Sequence, residues 1–344
     1  MSMARILVLG CGLVGGWVAT ALANDGHDVV AVDTSTVALD NLGPCVTRIE
    51  GPASAALADE HAPDVVVNTL PGRLGHGVRP GLLERGLKVA DLAFTAEDPA
   101  DLDALARQHG AVLLWDVGVA PGLSNLLVAE GARRHGRLRM GRVRVGGNPV
   151  EPDAGWSYMA PFSPYDVIEE YTRPARIVRG GRTVEVPALS ERVTFEVEGR
   201  GTMEAFLTDG LRSVLHTVPA EELIEATVRW PGHIDRYLAE RDVLNEDDLV
   251  AAWAWRNDRA EFTWMEVVCE GEAGGRSRWI LDDVGREDAS SMARTTGAIT
   301  CAAVDHLLSG DALPGIHAPE QAGEGFLDRC LRRYAAHGID LREA

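Results

Sequence analysis

The chain has 344 residues, 46% of them hydrophobic, which is enough for two domains and a large core. A formal charge of −19 argues against nucleic acid or an anionic membrane as partner. The five cysteines, Cys11, Cys45, Cys269, Cys301 and Cys330, are scattered without a CxxC, a pattern of reduced thiols in a cytoplasmic protein.

Ala4–Leu9 reads as a buried strand, and Gly10-Cys11-Gly12-Leu13-Val14-Gly15 follows it into an amphipathic helix that runs to about Ala23. A second apolar strand, His27–Val32, ends in Asp33. This is the setting in which a GxGxxG sequence binds a dinucleotide. Gly10 makes the turn, Gly12 lets a pyrophosphate approach the backbone, and Gly15 lets helix and strand pack closely. Leu13 and Val14 open a helix whose N–H groups face the phosphates. Asp33 can accept both ribose hydroxyls, and Thr34, Ser35 and Thr36 supply no arginine for a 2′-phosphate, so NAD is favoured over NADP. On this segment alone an S-adenosylmethionine-dependent methyltransferase competes, and Asp33 or Ser35 can also serve as a helix cap. The uncharged stretch Ile6–Ala23 mimics a secretory signal, but its four glycines are better explained by the nucleotide turn.

Further strands are predicted near 46–49, 64–69, 88–92 and 111–114, with helices near 53–61, 76–86 and 98–109. The strands are solid apolar runs, as a parallel sheet covered on both faces requires. The fold class is therefore α/β, a doubly wound (Rossmann) sheet with its ligand site beyond the strand C-termini. Asn68, Thr69 and Leu70 end the fourth strand and are candidates to touch the cofactor. Asp91 ends the fifth, and Asp116 follows the sixth in Trp115–Asn125. Lys88 is the one lysine in the sequence; there is no Walker A loop, and Schiff-base chemistry is left to a residue at the start of a strand.

After about Ser124 the pattern changes. A helix over Leu123–Arg134 leads to period-two alternation at Val143–Val145, Val193–Val197 and Ala226–Arg229, and Phe262–Cys269 with Ser277–Leu281 reads as a hairpin. The second domain is thus α+β, built on a mostly antiparallel sheet. Helices return at Asp288–Leu308 and Gly325–His337. The predicted division is 1–122 plus about 290–344 for the nucleotide domain, and 123–289 for a substrate and oligomerisation domain. Arg229-Trp230-Pro231-Gly232-His233 ends a strand in a tight turn. An arginine there, or Arg212 in Asp209-Gly210-Leu211-Arg212, can grip a carboxylate, and His233 can move a proton near neutral pH. Trp156, Ser157 and Tyr171 add amphipathic groups. No histidine or cysteine cluster has metal-ligand spacing, so no metal is expected.

Taken together, these stretches resemble the saccharopine-dehydrogenase-like family, in particular its lysine 6-dehydrogenase branch. The resemblance rests on Gly10–Gly15, Asp116–Asn125, Trp156-Ser157, Glu170-Tyr171, Asp209–Arg212, Arg229–His233, Ser291–Gly297 and Pro319-Glu320. It implies NAD-dependent oxidation of the ε-amine carbon of L-lysine, hydrolysis to a semialdehyde that cyclises, release of ammonia, and a homo-oligomer. An ε-ammonium of pKa near 10.4 costs roughly 4.6 kcal/mol to deprotonate at pH 7, so the site needs a base or desolvation. Asp116 or His233 is the expected base, and Arg229 or Arg212 the expected anchor of the α-carboxylate, with Asp91, Trp156, Ser157 and Tyr171 lining the substrate. The rivals are a saccharopine-type or carboxynorspermidine-type reductase, which joins an aldehyde to an amine, and a non-catalytic NAD-binding regulator.

Overall fold

The computed structural model describes residues 3–286, 289–323 and 325–344. In chain order it begins β1 (Arg5–Leu9), α1 (Leu13–Asn24), β2 (Asp28–Asp33), α2 (Thr36–Asp40), β3 (Thr47–Glu50), α3 (Leu57–His61), β4 (Val65–Asn68), α4 (Gly72–Glu84), β5 (Lys88–Asp91), α5 (Asp103–His109) and β6 (Val112–Trp115). The middle comprises α6 (Leu123–His135), β7 (Leu138–Pro149), α7 (Pro164–Thr172), β8 (Ala175–Arg179), β9 (Arg182–Val186), β10 (Val193–Val197), β11 (Gly201–Leu207), α8 (Val214–Thr217) and β12 (Glu222–Arg229). It ends α9 (His233–Glu240), α10 (Glu246–Ala252), β13 (Glu261–Gly271), β14 (Arg276–Val284), α11 (Ser291–Ser309), β15 (Gly315–His317), α12 (Phe326–Ala336) and β16 (Asp340–Glu343).

Two compact units result, Met1–Leu123 with Ala293–Gly338, and Ser124–Met292 with Ile339–Ala344. At the C-terminus they differ from the predicted division. The last six residues belong to the second unit, because β16 pairs antiparallel with β14. In the first unit, seven strands among the described residues form a parallel sheet in the order β15-β6-β5-β4-β1-β2-β3. The order reverses between β1 and β4, and that is where a doubly wound sheet binds its ligand. Apart from the exposed edge strand β3, its strands are largely buried, and one core cluster joins Leu7, Leu9, Val30, Val66, Val89 and Leu113. Several predicted helices start elsewhere than expected. α4 begins at Gly72, four residues early, because Pro71 starts it in spite of the poor helix-formers that follow. α3 begins at Leu57, four residues late, and ends as expected at His61, where Ala62 turns away at φ +44. The predicted start Asp288 lies outside the described residues.

The second unit carries a mixed sheet in the order β10-β11-β12-β7-β13-β14-β16, with β8 and β9 as a hairpin joined to β12. β12 and β7 are parallel, and the other pairs are antiparallel. One face packs Ala226, Val228, Trp230, Phe262, Trp264 and Ile280. Another cluster joins α7, α9 and α10 through Tyr171, Ile234, Tyr237, Leu249 and Trp253. These helices went unpredicted: each is short, and its apolar stripe is stabilised by packing more than by propensity. No helix among the described residues is long and apolar enough to cross a membrane.

Candidate functional site

In the first unit the glycine turn behaves as its spacing requires. Gly10 lies at φ +94. A Cβ on Gly15 would stand 2.2 Å from the Gly10 carbonyl oxygen and 2.4 Å from Thr69 Oγ1, so only hydrogen fits. A Cβ on Gly12 would meet nothing within 4 Å. The space over Gly12 is therefore open, at the N-terminus of α1, which has no side-chain cap and no acidic residue in its first turn. Leu13 is exposed there and Val14 is buried behind it. These are the features an incoming pyrophosphate needs.

Asp33 ends β2 beside this turn. Its Oδ2 accepts from the Cys11 N–H at 2.6 Å and its Oδ1 from the Ser35 N–H at 2.8 Å. Each oxygen retains a lone pair for a ribose hydroxyl. Thr34 is exposed next to it, and Ser35 accepts from the Ala38 N–H, capping α2. At the switch point Thr69 Oγ1 donates to the Gly10 carbonyl at 2.7 Å, tying the end of β4 to the turn. The Leu70 N–H is 3.4 Å from Asn68 Oδ1. The residues present thus fit a dinucleotide.

Asp91 is a correction. It was expected to face substrate, yet it is wholly buried and both oxygens are taken: Arg79 grips it at 2.9 and 3.1 Å, Asn68 donates at 3.0 Å and the Ala93 N–H at 2.9 Å. Arg79, which the sequence reading missed, also donates to Thr95 Oγ1 and the Ala93 carbonyl. Burial opposes its charge, but Asp91, and then Asp116 and Glu97, raise its pKa. The pair holds the ends of β4 and β5, with Asn68 also bonded to the Gly75 carbonyl. Asp116 follows β6, buried, at φ +53. Lys88 donates to the Leu307 carbonyl at 3.0 Å.

The second unit brings together Trp156, Tyr171, Arg229 and His233. The Nε of Arg229 donates to the Tyr171 hydroxyl at 2.8 Å, and that hydroxyl lies 3.1 Å from His233 Nε2. His233 Nδ1 is 2.9 Å from the Trp156 carbonyl, so Nδ1 carries the hydrogen and Nε2 accepts from Tyr171. His233 is corrected too. It is the first residue of α9, entered through Gly232 at φ +90, and not a histidine free to move protons near neutral pH. Burial, then the charge of Arg229, lower its pKa to about 3. Arg229 also donates to the Val228 carbonyl and stacks over the Tyr158 ring, 4.5 Å from its centroid. Burial opposes this charge as well, but Tyr171, Tyr158 and Glu170 outweigh it and raise the pKa. Burial lifts Tyr158 to about 12 and Tyr171 well above its ordinary value.

Ser157, at φ +51, spends its hydroxyl on Asp153 in a local turn. Arg212 is buried in the loop between β11 and α8 at φ +54.

Beside Arg229 lies a set of residues the sequence reading did not select. Thr227 Oγ1 donates to Glu170 Oε1, and stands 2.9 Å from Thr208 Oγ1. Thr208 in turn donates to Glu225 Oε2 at 2.7 Å, and the Gly210 N–H donates to the same oxygen at 3.1 Å. Burial, then the Glu170 carboxylate, push Glu225 up to about 8. Glu170 is 3.9 Å from Arg229, and its side chain retains 17% of its surface. The available signal was the alternation itself: Glu225, Thr227 and Arg229 share one face of β12.

Residues 118–339 match the family described as saccharopine dehydrogenase C-terminal domain. The mitochondrial alpha-aminoadipic semialdehyde synthase of Mus musculus is 22% identical over 289 residues, covering 77% of this chain. The chain spans only 31% of that relative's length. Among solved structures, apo saccharopine dehydrogenase (L-Glu forming) from Saccharomyces cerevisiae aligns over 99% of both chains at 17% identity, with a TM-score of 0.76. Homospermidine synthase from Legionella pneumophila in complex with NAD aligns over 99% of this chain and 91% of its own, at 13% identity and a TM-score of 0.73. With the family match covering most of its length, the chain belongs to the saccharopine dehydrogenase family of oxidoreductases.

Proposed function

We propose that the protein is an NAD-dependent dehydrogenase acting on the amine-bearing carbon of an amino acid, with L-lysine oxidised at its 6-amino group to the semialdehyde and ammonia released. Gly10, Gly12, Gly15 and Asp33 would hold the dinucleotide, with Thr69 fixing the turn. When bound, NAD supplies the hydride acceptor. The amine half of this reading is carried by one observation: Glu170 reaches solvent from an otherwise buried network, and a carboxylate is the group that receives an ammonium. Asp116, at the end of β6, is retained as the base candidate of the first unit. His233, neutral and doubly hydrogen-bonded, holds Tyr171 and through it the orientation of Arg229. The same reading takes the protein as a cytoplasmic homo-oligomer.

A second reading, a reductase that joins a semialdehyde to an amino acid, is favoured by the names of the relatives. Its product would carry three carboxylates. The arginines near Glu170 offer little for them: Arg176 grips Asp209 at 2.9 and 2.8 Å, Arg173 faces Asp209 at 3.8 Å, and Arg229 is committed to Tyr171 and Val228. The deciding experiment follows NADH absorbance with diamines, ω-amino acids and 2-amino acids, and then NADH consumption with the semialdehyde plus either ammonia or glutamate. Reduction of NAD by L-lysine with stoichiometric ammonia supports the first reading. NADH consumption that requires glutamate supports the second.

A further inference from the structure

Glu170, Thr227, Thr208 and Glu225 are joined in a row by hydrogen bonds, a carboxylate at each end and two hydroxyls between. The row has three links, and the two hydroxyls supply two hydrogens. With both carboxylates ionised, Thr227 donates to Glu170 and Thr208 to Glu225, and no hydrogen lies in the 2.9 Å link between the threonines. One added proton fills that link. If it sits on Glu225, every bond points toward Glu170; if it sits on Glu170, every bond points toward Glu225. Moving each of the three hydrogens across its own link, from one oxygen to the other, converts one arrangement into the other. The two ends are unequal, since Glu170 reaches solvent and Glu225 is buried.

We propose that this row is a one-proton relay: resting on the amine-dehydrogenase reading above, Glu170 takes a proton from the substrate ammonium and the row stores it on Glu225. The step balances as R–NH3+ plus the doubly ionised pair giving R–NH2 plus the singly protonated pair, with Glu170 left a carboxylate. The amine lone pair needed for hydride departure is thereby freed.

The surroundings of Glu225 support the storage end. A Cβ on Gly210 would lie 2.5 Å from the Glu225 carboxyl carbon, so the loop closes over the acid with no side chain to spare. The charges facing Glu225 are Glu170 of α7 and Asp209 of the loop, both of which favour a proton on it. Asp209 is offset by Arg176 of β8 and Arg173 after α7, and Glu170 by Arg229 of β12. Glu225 bonds to a hydroxyl and a backbone N–H, with an upward-shifted pKa as a net result.

The test uses the whole protein. Infrared difference spectra from mildly acidic to alkaline pH, without substrate, should show one protonated carboxyl titrating in the wild type and absent in Glu225→Gln. Thr208→Val removes one of the two hydroxyls at nearly constant shape. It should lower kcat/KM for the amine on the order of 10²-fold and displace the acidic limb of its pH profile, while Thr208→Ser restores both. A band that survives in Glu225→Gln, or a Thr208→Val enzyme with the wild-type pH profile, overturns the relay. The two readings fail separately. If no amine reduces NAD but the band is lost in Glu225→Gln, the proton store stands and the proposed substrate falls. If L-lysine is oxidised and the band survives, the substrate stands and the relay falls.

Discussion

Gly12 and Gly15 lie three residues apart in one turn, yet alanine at each should have opposite effects. At Gly15 the new methyl would stand 2.2 Å from a backbone carbonyl oxygen and 2.4 Å from Thr69 Oγ1, whose hydroxyl is itself fixed on the Gly10 carbonyl. Neither neighbour is a flexible chain end, so turn and helix must separate. Overpacking of this kind costs about 1–3 kcal/mol. At Gly12 the backbone is at φ −61 and ψ −166, open to alanine, and the methyl meets no protein atom. Stability should hold or rise by about 0.4–1 kcal/mol from the restricted unfolded chain. The methyl would instead occupy the space assigned to the pyrophosphate. If the same overpacking range is charged to the complex, the Kd for NAD rises about 5- to 150-fold. Denaturant melts give the first quantity, and NAD titration followed by tryptophan fluorescence the second. A Gly12→Ala protein that binds NAD as the wild type does would refute the placement of the phosphates.

The other expectations concern charge. Asp33→Ser removes the ribose acceptor and should weaken NAD about 12- to 150-fold, using about 1.5–3 kcal/mol for a hydrogen bond to a charged group, with a smaller loss for NADP; equal losses would count against Asp33 as the selector. Arg79→Met strands the buried Asp91 carboxylate, and should cost about 3–5 kcal/mol in urea unfolding, part of it recovered in Arg79→Met/Asp91→Asn. For Glu225 the folded pKa of about 8 lies above the ordinary 4.5. The native state therefore holds a proton that the unfolded chain has lost, and stability falls as pH rises from 4.5 toward 8. The span sets a limit of about 5 kcal/mol, a slope that Glu225→Gln should abolish. His233 acts in the opposite sense. Its folded pKa of about 3 lies below 6.5, so stability is lost as pH falls between those values. Melting temperatures across this range should peak between the two flanks, and a flat profile would contradict both burials.

How much of this was legible in the sequence follows from how local each feature is. The glycine turn, the apolar strands around it and Asp33 are set by residues within one βαβ unit, where spacing alone fixes geometry. The face of β12 that carries Glu225, Thr227 and Arg229 was equally visible as alternation, but period two says which residues share a face and not what covers it. That cover comes from α7 and the 208–212 loop, tens of residues away in the chain. For the same reason His233 read as a proton carrier near neutral pH: its partners Trp156 and Tyr171, which bury it, lie 77 and 62 residues back. The placement of β16 failed similarly, since four residues pairing with β14 leave no local trace.

The burial that hid these residues from the sequence also sorts their protons. Arginine cannot shed its charge at any ordinary pH, so its burial has to be met by acceptors, here the Tyr171 oxygen, a carbonyl, the Tyr158 ring and the nearby Glu170. Histidine can shed its charge, and does so, becoming the acceptor that the Tyr171 hydroxyl needs once that oxygen has accepted from Arg229. Tyr158, at about 12, and Tyr171, higher than usual, stay protonated through the same range. With His233 at about 3, none of these four groups changes charge between mildly acidic and mildly alkaline pH. The group of this network shifted into that interval is Glu225, at about 8, at the far end of a row of hydroxyls from the carboxylate that meets solvent. A pH dependence that arises in this network therefore belongs to Glu225, whose charged form is opposed first by burial and then by the Glu170 carboxylate. Removing Glu225 should eliminate the transition, whereas removing Glu170 should only move it down, because the burial of Glu225 remains.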